Sequence, residues 1–396
     1  MSRCCANRWL LAGLMLLVLT AAGTAVQVDR LSVLRAAVQP GFALADAPRR
    51  FEFPQDHGPH PLFRQEWWYL TGQLQGTTGA TFGFELTMFR LALRPPPGGA
   101  VPAPTSAWQA RQVYAAHFAI TDVARARFFN ATRYARDALD LAGATAAPFS
   151  VHVADWSVIQ VPDAQPGLHW QLQAADGDYQ LQLQLQSAAP PVLNGDGGLS
   201  VKADARGAAS YYYSMPRLQA AGSITHSGIT VPVAGLVWLD REWGSGSLGA
   251  DQQGWDWFAL DLDDGSALMF YALRDRDGRR DAHSAGTFVD REGQVTPLRN
   301  DAVAIEVLRY WNSPRGGRYP AQWRLSIPSL RLQLTATPLL ADQELSTQPR
   351  YWEGAVAVKG ERGAAPVRAR GYVELVGYAQ AQATPSMPNA SVPPTH

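Results

Sequence analysis

The chain has 396 residues, a length typical of two or three domains. Hydrophobic residues make up 46% of it and charged residues 17%, a composition that supports a packed core and excludes disorder of the whole chain. Basic and acidic residues both number 34, so the formal net charge is zero. Because no basic surplus is available to neutralise phosphates, nucleic acid is not expected as a partner.

Residues 1–25 have the pattern of a cleaved signal peptide. Arg3 and Arg8 form a basic start before an apolar run over residues 9–22. Small residues follow at Gly23 and Ala25, and cleavage fits after Ala25. We therefore expect a periplasmic or secreted protein. An uncleaved N-terminal membrane anchor is the alternative, since the run is near the lower length limit for crossing a bilayer.

The two cysteines, Cys4 and Cys5, stand before this apolar run. A lipid-modified cysteine would follow the run, so a lipid anchor is not predicted. Without these two residues the mature chain has neither disulfides nor thiolate metal sites. Phosphate-binding loops and dinucleotide fingerprints are also missing from the sequence. No cofactor and no metal are therefore predicted.

Strand patterns dominate from Phe51 onward, after a lead-in segment over 26–50 that we expect to pack poorly. Residues Tyr179–Gln186 alternate strictly, as a strand with one buried face does. Asp-Gly pairs, such as the one at 176–177, join such runs into hairpins. Helical patterns are scarce, and a short helix is expected over Arg133–Leu141. Many short strands joined by Gly/Asp turns predict an all-β fold.

The sequence contains a weak internal repeat. Arg64–Gly72 leads into the strand pattern Thr81–Arg90, and Asp240–Gly244 leads into Trp255–Leu260 in the same way. Two barrels of similar plan would give this repeat. We place the boundary between them near residue 215. The predicted divisions are an N-terminal barrel over 51–215, a C-terminal barrel over 216–380 and a disordered tail over 381–396.

The block Trp238–Gly244 combines carboxyl groups with indole rings. In an extended strand Asp240 and Glu242 share one face with Trp238, whereas Arg241 lies on the opposite face. Burial against an indole raises a carboxyl pKa, which would suit Asp240 to general-acid catalysis. The alternative is a structural network in which Arg241 neutralises neighbouring carboxylates.

A second block places Glu66 and Trp68 on one strand face and Trp67 and Tyr69 on the other. It forms either an aromatic wall with one acid or a core strand whose Glu66 pairs with Arg64 or Arg90.

A third block, Asp56–His60, holds two histidines near an acid. A metal site needs more ligands than this pair supplies. His57 is therefore expected to shuttle protons or to form a hydrogen bond with a ligand.

Three further blocks place aromatic rings beside polar groups. Tyr211 and Tyr213 share one strand face, and phenol hydroxyls in a pocket can donate hydrogen bonds or face a cation. Asp256 stands between two indoles, and Tyr351 is followed closely by Glu353. Ordinary strand packing is the alternative for each block. No Gly-x-Ser-x-Gly nucleophile elbow occurs in the sequence, which disfavours serine-based hydrolysis.

Taken in order, these blocks resemble the AttH-like family, whose members are also called secreted hydrolases and which shares a superfamily with carotenoid 1,2-hydratase. The resemblance runs from about Asp56 to Tyr378. It implies two lipocalin-like β-barrel domains. It also implies association with ABC-type export systems of the lipoprotein-releasing kind. The blocks that carry it are Asp56–His60, Glu66–Tyr69, Ser210–Ser214, Asp240–Gly244, Gly254–Trp257, Asp342–Leu345, Tyr351–Gly354 and Gly371–Leu375.

The function expected from these observations is that of an exported hydro-lyase or hydrolase acting on an apolar unsaturated or lipid-like substrate. A carboxyl group would act as general acid in an aromatic pocket at the domain junction or in a barrel mouth. A non-catalytic carrier of a lipid-like ligand, working with an export complex, is the alternative. The protein is expected to be a monomer. The candidate catalytic residues are Asp240, Glu242, His57 and Glu66, and the candidate substrate-binding residues are Trp67, Trp68, Tyr69, Tyr211, Tyr213, Trp238, Trp243, Trp255, Asp256, Trp257, Tyr351 and Glu353.

Overall fold

The computed structural model describes residues 38–77, 79–99, 106, 108–162, 167–246, 248–347 and 350–379. The predicted signal peptide and the predicted tail lie outside these residues. Among the residues described, no helix is long and apolar enough to cross a membrane. The helices of this part of the chain are single 3-10 turns at Gln55–His57, Pro97–Gly99, Asn300–Ala302 and Pro328–Leu330.

Thirteen strands of the described chain form the first sheet. Its main path runs β4-β3-β2-β1-β13-β12-β9-β8-β7-β6-β5, and two short strands, β10 and β11, pair with β12. The strands are β1 (Gln65–Gly76), β2 (Thr81–Ala92), β3 (Gln112–Asp122), β4 (Arg127–Arg136), β5 (Ala142–Ala146), β6 (Phe149–Val153), β7 (Trp156–Gln160), β8 (Leu168–Asp176), β9 (Tyr179–Ser187), β10 (Val192–Leu193), β11 (Leu199–Val201), β12 (Ala209–His226) and β13 (Ile229–Gly246).

Ten strands of the described chain form the second sheet. Its path runs β17-β16-β15-β14-β23-β22-β20-β19-β18, with β21 paired to β22. The strands are β14 (Gln252–Leu262), β15 (Ala267–Asp275), β16 (Ala285–Val289), β17 (Val295–Leu298), β18 (Ala304–Asn312), β19 (Arg318–Ile327), β20 (Leu332–Pro338), β21 (Glu344–Leu345), β22 (Tyr351–Arg362) and β23 (Ala365–Val376).

The hairpin of β8 and β9 shows how the residue pattern sets the strands. Tyr179, Leu181, Leu183 and Leu185 are buried, and the glutamines between them are exposed. Gly177 has a φ of 52° in the connecting turn, a conformation that glycine adopts without steric cost. The alternation therefore determines which face of the sheet turns inward.

Each sheet curls around its own apolar core. In the first, β6 approaches β2, β3 and β4, and the enclosed core contains large side chains such as Trp68 and Trp156. In the second, Phe258, Trp323 and Trp352 occupy the equivalent interior. The predicted all-β fold with two lipocalin-like barrels is confirmed.

A third apolar cluster lies where the two sheets meet, with β1 against β23 and β2 against β22. The approach is close at Gly83, where a Cβ atom would lie 2.6 Å from the hydroxyl oxygen of Tyr372 and 2.7 Å from the Cβ of Ala355. Only glycine fits there without displacing a neighbour. The strands that meet at this junction also position the candidate site.

The first sheet extends beyond the boundary that we placed near residue 215. That position lies inside β12, and the change from the first sheet to the second falls between Gly246 and Gln252. The Gly-rich stretch Asn194–Gly198, which precedes that boundary, is a tight turn closed by a bridge between Asp196 and Leu199. Glycine content alone does not distinguish such a turn from an interdomain link.

Two local predictions are wrong. Residues Arg133–Leu141 do not form a helix, because Arg127–Arg136 is strand β4 paired to β3, and Leu139 and Asp140 that follow both have a φ of 57°. An α-helix cannot contain such a pair. The described part of the lead-in is also well packed, since Phe42 and Ala45 are buried within it.

Candidate functional site

A cavity of about 80 Å³ lies at the junction of the two sheets. That volume holds several water molecules. Both sheets contribute to the walls, which are mostly aromatic and aliphatic with a few charged groups. The lining residues are Trp67, Tyr69, Lys202, Tyr212, Asp240, Glu242, Leu248, Trp255, Trp257, Tyr271, Leu273 and Glu374.

Strand β13 places its carboxyl groups in this cavity by alternation. Asp240 and Glu242 line the cavity, and Trp238 packs in the junction cluster on the same face. Leu239 and Trp243 belong instead to the core of the first barrel. Consecutive side chains of a strand point to opposite faces, so one strand supplies both the site and the core behind it.

Asp240 is buried and is held by neutral hydrogen-bond donors. The hydroxyls of Tyr212 and Ser214 donate to its two carboxyl oxygens, each at 2.5 Å. The indole Nε1 of Trp238 donates to Oδ1 at 2.7 Å. Burial raises the pKa of Asp240 to about 7, although these hydrogen bonds act in the opposite direction. Asp240 can therefore hold a proton and release it near neutral pH.

Glu242 has a different environment, because a cation lies beside it. The ammonium of Lys202 is 3.6 Å from Oε1 of Glu242 and donates to the hydroxyl of Ser200 at 2.9 Å. Ser210 also donates a hydrogen bond to Glu242. Burial alone would lower the pKa of Lys202, but Glu242 and Tyr271 raise it above its ordinary value. The pair thus places a second carboxyl group and an ammonium in the same cavity as Asp240.

Aromatic rings form the apolar walls. Tyr69 and Trp257 meet edge to face, with ring centroids 5.0 Å apart and planes at 80°. The indole Nε1 of Trp257 donates to the hydroxyl of Tyr212 at 3.2 Å, and that of Trp255 donates to Glu374 at 2.8 Å. Because both N–H groups have partners, these indoles are buried without an unsatisfied donor.

Several predicted site residues lie on the far side of β1, β12 and β13, away from the cavity. The expectation that they would join the other aromatics in one pocket is wrong, because alternation turns them into the first barrel. Tyr212 lines the cavity instead of its two neighbours. The residues that face the first barrel are His57, Glu66, Trp68, Tyr211, Tyr213 and Trp243.

Glu66 in that group forms a buried ion network. It pairs with Arg90 and with Arg241, whose Nη2 is 2.5 Å from Oε2 of Glu66. Burial alone would raise the pKa of Glu66, but the two guanidinium groups hold it well below its usual range. Glu66 therefore remains a carboxylate at neutral pH and cannot donate a proton, contrary to the catalytic role predicted for it.

His57 is also part of this internal structure. Its Nδ1 lies 2.6 Å from the hydroxyl oxygen of Tyr213, and its backbone carbonyl accepts hydrogen bonds from Trp68 and Arg241. Burial lowers the pKa of His57 to about 4, and the charge of Arg241 adds to this effect. The imidazole is neutral at pH 7 and lies away from the cavity, so the structure does not bring it to Asp240.

The remaining predicted residues lie in or beside the second sheet. Asp256 forms an ion pair with Arg274 at 3.0 Å and accepts a hydrogen bond from Tyr378 at 2.9 Å. Tyr351 packs at the junction, with its hydroxyl 2.7 Å from Nδ1 of His117. Glu353 is buried beside Tyr69, whose pKa is raised well above its ordinary value by burial and then by the charge of Glu353.

Sequence reasoning missed Lys202, Tyr212, Tyr271 and Glu374. Lys202 had a usable signal, because it and Lys359 are the only lysines among 34 basic residues. A lysine buried in a chain whose basic residues are almost all arginine points to a compact ammonium, which differs from a guanidinium in size and hydrogen-bonding geometry. The described residues contain no group of three or more His, Cys, Asp or Glu side chains arranged to hold a metal ion.

Comparisons with known proteins match this architecture. The model of the AttH-like family covers residues 44–378. The crystal structure of a protein assigned to AttH, from Nitrosomonas europaea, is 35% identical with a TM-score of 0.73, and the match covers 87% of this chain and 100% of that one. Kievitone hydratase from Nectria haematococca shares the fold at 14% identity with a TM-score of 0.61, over 87% and 98% of the two chains. No curated protein matches the chain.

Proposed function

Because this chain belongs to the AttH-like family and buries a protonatable carboxyl group among aromatic rings, we propose that it adds water to a carbon–carbon double bond of an apolar substrate. The observation that carries the proposal is the environment of Asp240. A carboxyl group surrounded by neutral donors, with a pKa of about 7, is suited to general-acid catalysis at neutral pH. A site that only held a neutral lipid would have no need of it.

The reaction begins with proton transfer. Asp240 gives its proton to one carbon of the double bond, which leaves a positive charge on the other carbon. The faces of Trp255, Trp257 and Tyr69 stabilise that charge, since aromatic rings attract cations through their electron-rich faces. A water molecule then forms a bond to the cationic carbon.

Glu242 receives the proton that the added water must lose. The ammonium of Lys202 lies 3.6 Å from Oε1 of Glu242, whereas Asp240 has only neutral donors, so the two carboxyl groups have different electrostatic environments. Two acids whose environments separate their protonation states supply one donor and one acceptor. Return of the proton from Glu242 to Asp240 through water restores the enzyme, and the substrate has gained one hydrogen and one hydroxyl group.

A non-catalytic carrier is the second candidate. The apolar walls formed by Leu248, Leu273 and the indoles would suit a lipid-like ligand delivered to or received from an ABC-type export complex. Export through the predicted signal peptide is part of both proposals. Fusing residues 1–30 to a reporter enzyme and locating its activity in the cytosol would contradict export.

Labelled water distinguishes the two candidates. The apolar fraction that co-purifies with the protein from its native envelope is extracted and incubated with wild type or Asp240→Asn in oxygen-18 water. The hydration proposal predicts one labelled oxygen in a wild-type product and almost none with the variant. Binding of the extracted compound by both proteins, with no label in either reaction, would support the carrier and contradict hydration.

A further inference from the structure

The junction cavity has more acidic than basic lining groups. Asp240, Glu242 and Glu374 line it, and among the described lining residues Lys202 is the basic one. Lys202 balances the charge of Glu242, which lies 3.6 Å away. When the carboxyl groups are ionised, the lining as a whole is negative. A neutral apolar ligand gains nothing from that charge, whereas a cation does.

Aromatic rings surround the carboxyl groups. Trp67, Trp255 and Trp257 line the cavity together with tyrosines from both sheets. The N–H edges of Trp255 and Trp257 are engaged in hydrogen bonds to Glu374 and to Tyr212. A ligand in the cavity therefore does not meet a free N–H donor at these two indoles. Ring faces close to buried carboxylates are the features that recognise alkylated ammonium groups.

The protein already holds one cation against these rings. The Nζ atom of Lys202 lies 3.8 Å from the ring centroid of Tyr271 and 5.2 Å from that of Tyr212. Both distances are within the range of a cation–π interaction. The side chain is buried, with 6% relative exposure. An ammonium is thus accommodated against this wall with little exposure to solvent.

We propose that the cavity is also a binding site for compact organic cations, specifically trialkylammonium head groups carried on an apolar chain. Such a group cannot donate hydrogen bonds, so it needs no carboxylate at contact distance, and ring faces together with a negative lining are sufficient. Its methyl groups fill the apolar part of the cavity while its charge meets the carboxyl groups. The proposal uses the cavity of the proposed function but does not require catalysis.

Two probes of equal shape, one charged and one neutral, measure how much the positive charge contributes to binding. The probes are (6-hydroxyhexyl)trimethylammonium and 7,7-dimethyloctan-1-ol, in which a carbon atom replaces the nitrogen. Both are titrated into the mature full-length protein at pH 8, with tryptophan fluorescence and calorimetry as readouts. The cation should bind at least ~10-fold more tightly than the alcohol, given the strength of a desolvated cation–π contact.

Three variants locate the binding site. Glu374→Gln keeps an oxygen that can accept the hydrogen bond from Trp255 but removes a charge, so the preference for the cation should shrink about fivefold. Lys202→Met should increase affinity for the cation, because it removes a competing positive charge; damage to the fold would lower affinity instead. Glu306→Gln is the matched control, since this exposed carboxylate pairs with Arg324 on β18 and β19, away from the cavity.

Equal affinity for the two probes, or no binding of the cation, would overturn the proposal. So would a preference for the cation that Glu306→Gln reduces as much as Glu374→Gln. The labelled-water assay is scored separately. If the protein hydrates its substrate but shows no preference for the cation, only the proposed cation site is wrong. If it prefers the cation but catalyses no hydration, only the proposed catalysis is wrong.

Discussion

The two faces of β13 bury carboxyl groups in opposite ways. On the face toward the first barrel, Arg241 meets Glu66, which is also paired with Arg90. On the cavity face, Asp240 has three neutral donors and no cation within ion-pair distance among the described residues. The pKa of Glu66 lies well below its usual range, whereas burial raises that of Asp240 to about 7.

This contrast shows what makes a buried acid a proton source. Desolvation acts on both groups, and the difference lies in the partners. A guanidinium stabilises the ionised form so strongly that the carboxylate becomes a fixed structural charge. Neutral hydroxyl and indole donors stabilise it less, so the proton stays within reach of catalysis. A single strand can thus contribute a rigid ion network and a reactive acid from adjacent residues.

The largest expected effect comes from Asp240→Asn. Asparagine keeps the shape of the side chain and can still accept hydrogen bonds, but it has no proton to give. Turnover in the labelled-water assay should fall by ~10²–10⁴-fold, the usual contribution of one acid–base group. The melting temperature should change little. A loss of stability as large as that of Arg241→Met, with no selective loss of turnover, would assign Asp240 to a structural network instead.

Arg241→Met should act on stability rather than on turnover. Removing the guanidinium leaves the Glu66 carboxylate with one of its two cations, in a site that excludes water. The cost should approach the ~3–5 kcal/mol of breaking a buried ion pair, measured as a lower midpoint of urea unfolding. The double variant Glu66→Gln/Arg241→Met should recover part of that loss. A near-neutral Arg241→Met would show that the network contributes little.

The pH dependence should identify the acid. Turnover requires protonated Asp240, so it should fall about tenfold per pH unit above pH 7. The same raised pKa affects stability in the window between about 4 and 7. There the folded state holds a proton that the unfolded state has released, so this contribution to stability is lost as pH rises. Asp240→Asn should remove the share of Asp240 and leave that of Asp261, whose burial also raises its pKa to about 7; an unchanged slope would place the titration elsewhere.

Neighbouring tyrosines provide the smallest and most selective test. Tyr212→Phe removes a hydrogen bond that lowers the pKa of Asp240, so the alkaline limb of the activity profile should move up by roughly one pH unit. Tyr213→Phe removes the contacts of that hydroxyl with Nδ1 of His57 and with the backbone carbonyl of Asp56, on the other face of the strand. It should cost about 1 kcal/mol of stability and leave the pH profile unchanged. Equal shifts in both variants would contradict the separation of the two faces.

Much of this arrangement follows from the sequence, because strand alternation is a local property. The strict alternation of Tyr179–Gln186 predicts β9 and its buried face. The same alternation places Asp240 and Arg241 on opposite faces of β13. Alternation alone does not show which face of a strand meets the second sheet. The sequence therefore predicts Tyr211 and Tyr213 in the pocket, whereas the structure places Tyr212 there.

The rest of the site depends on contacts between distant segments. Lys202 follows β11, Tyr271 lies on β15 and Glu374 lies on β23. Only the packing of the two barrels brings these residues into the same cavity as Asp240, and no local sequence pattern predicts that contact. The protonation state of a carboxyl group also depends on its surroundings. The sequence therefore predicts both Glu66 and Asp240 as catalytic residues, and only the structure shows that two arginines pair with Glu66.

The central claim is that Asp240 is neutral over part of the physiological pH range, and infrared difference spectroscopy tests it most directly. The carbonyl stretch of a protonated carboxyl group is recorded between pH 5 and 9 for wild type and for Asp240→Asn. Subtracting the variant spectrum from the wild-type spectrum should leave a band of Asp240 that titrates near pH 7, because the contribution of Asp261, whose pKa burial also raises to about 7, is common to both proteins. A wild-type spectrum in which Asp240 contributes no protonated carboxyl band at pH 5–6 would contradict it.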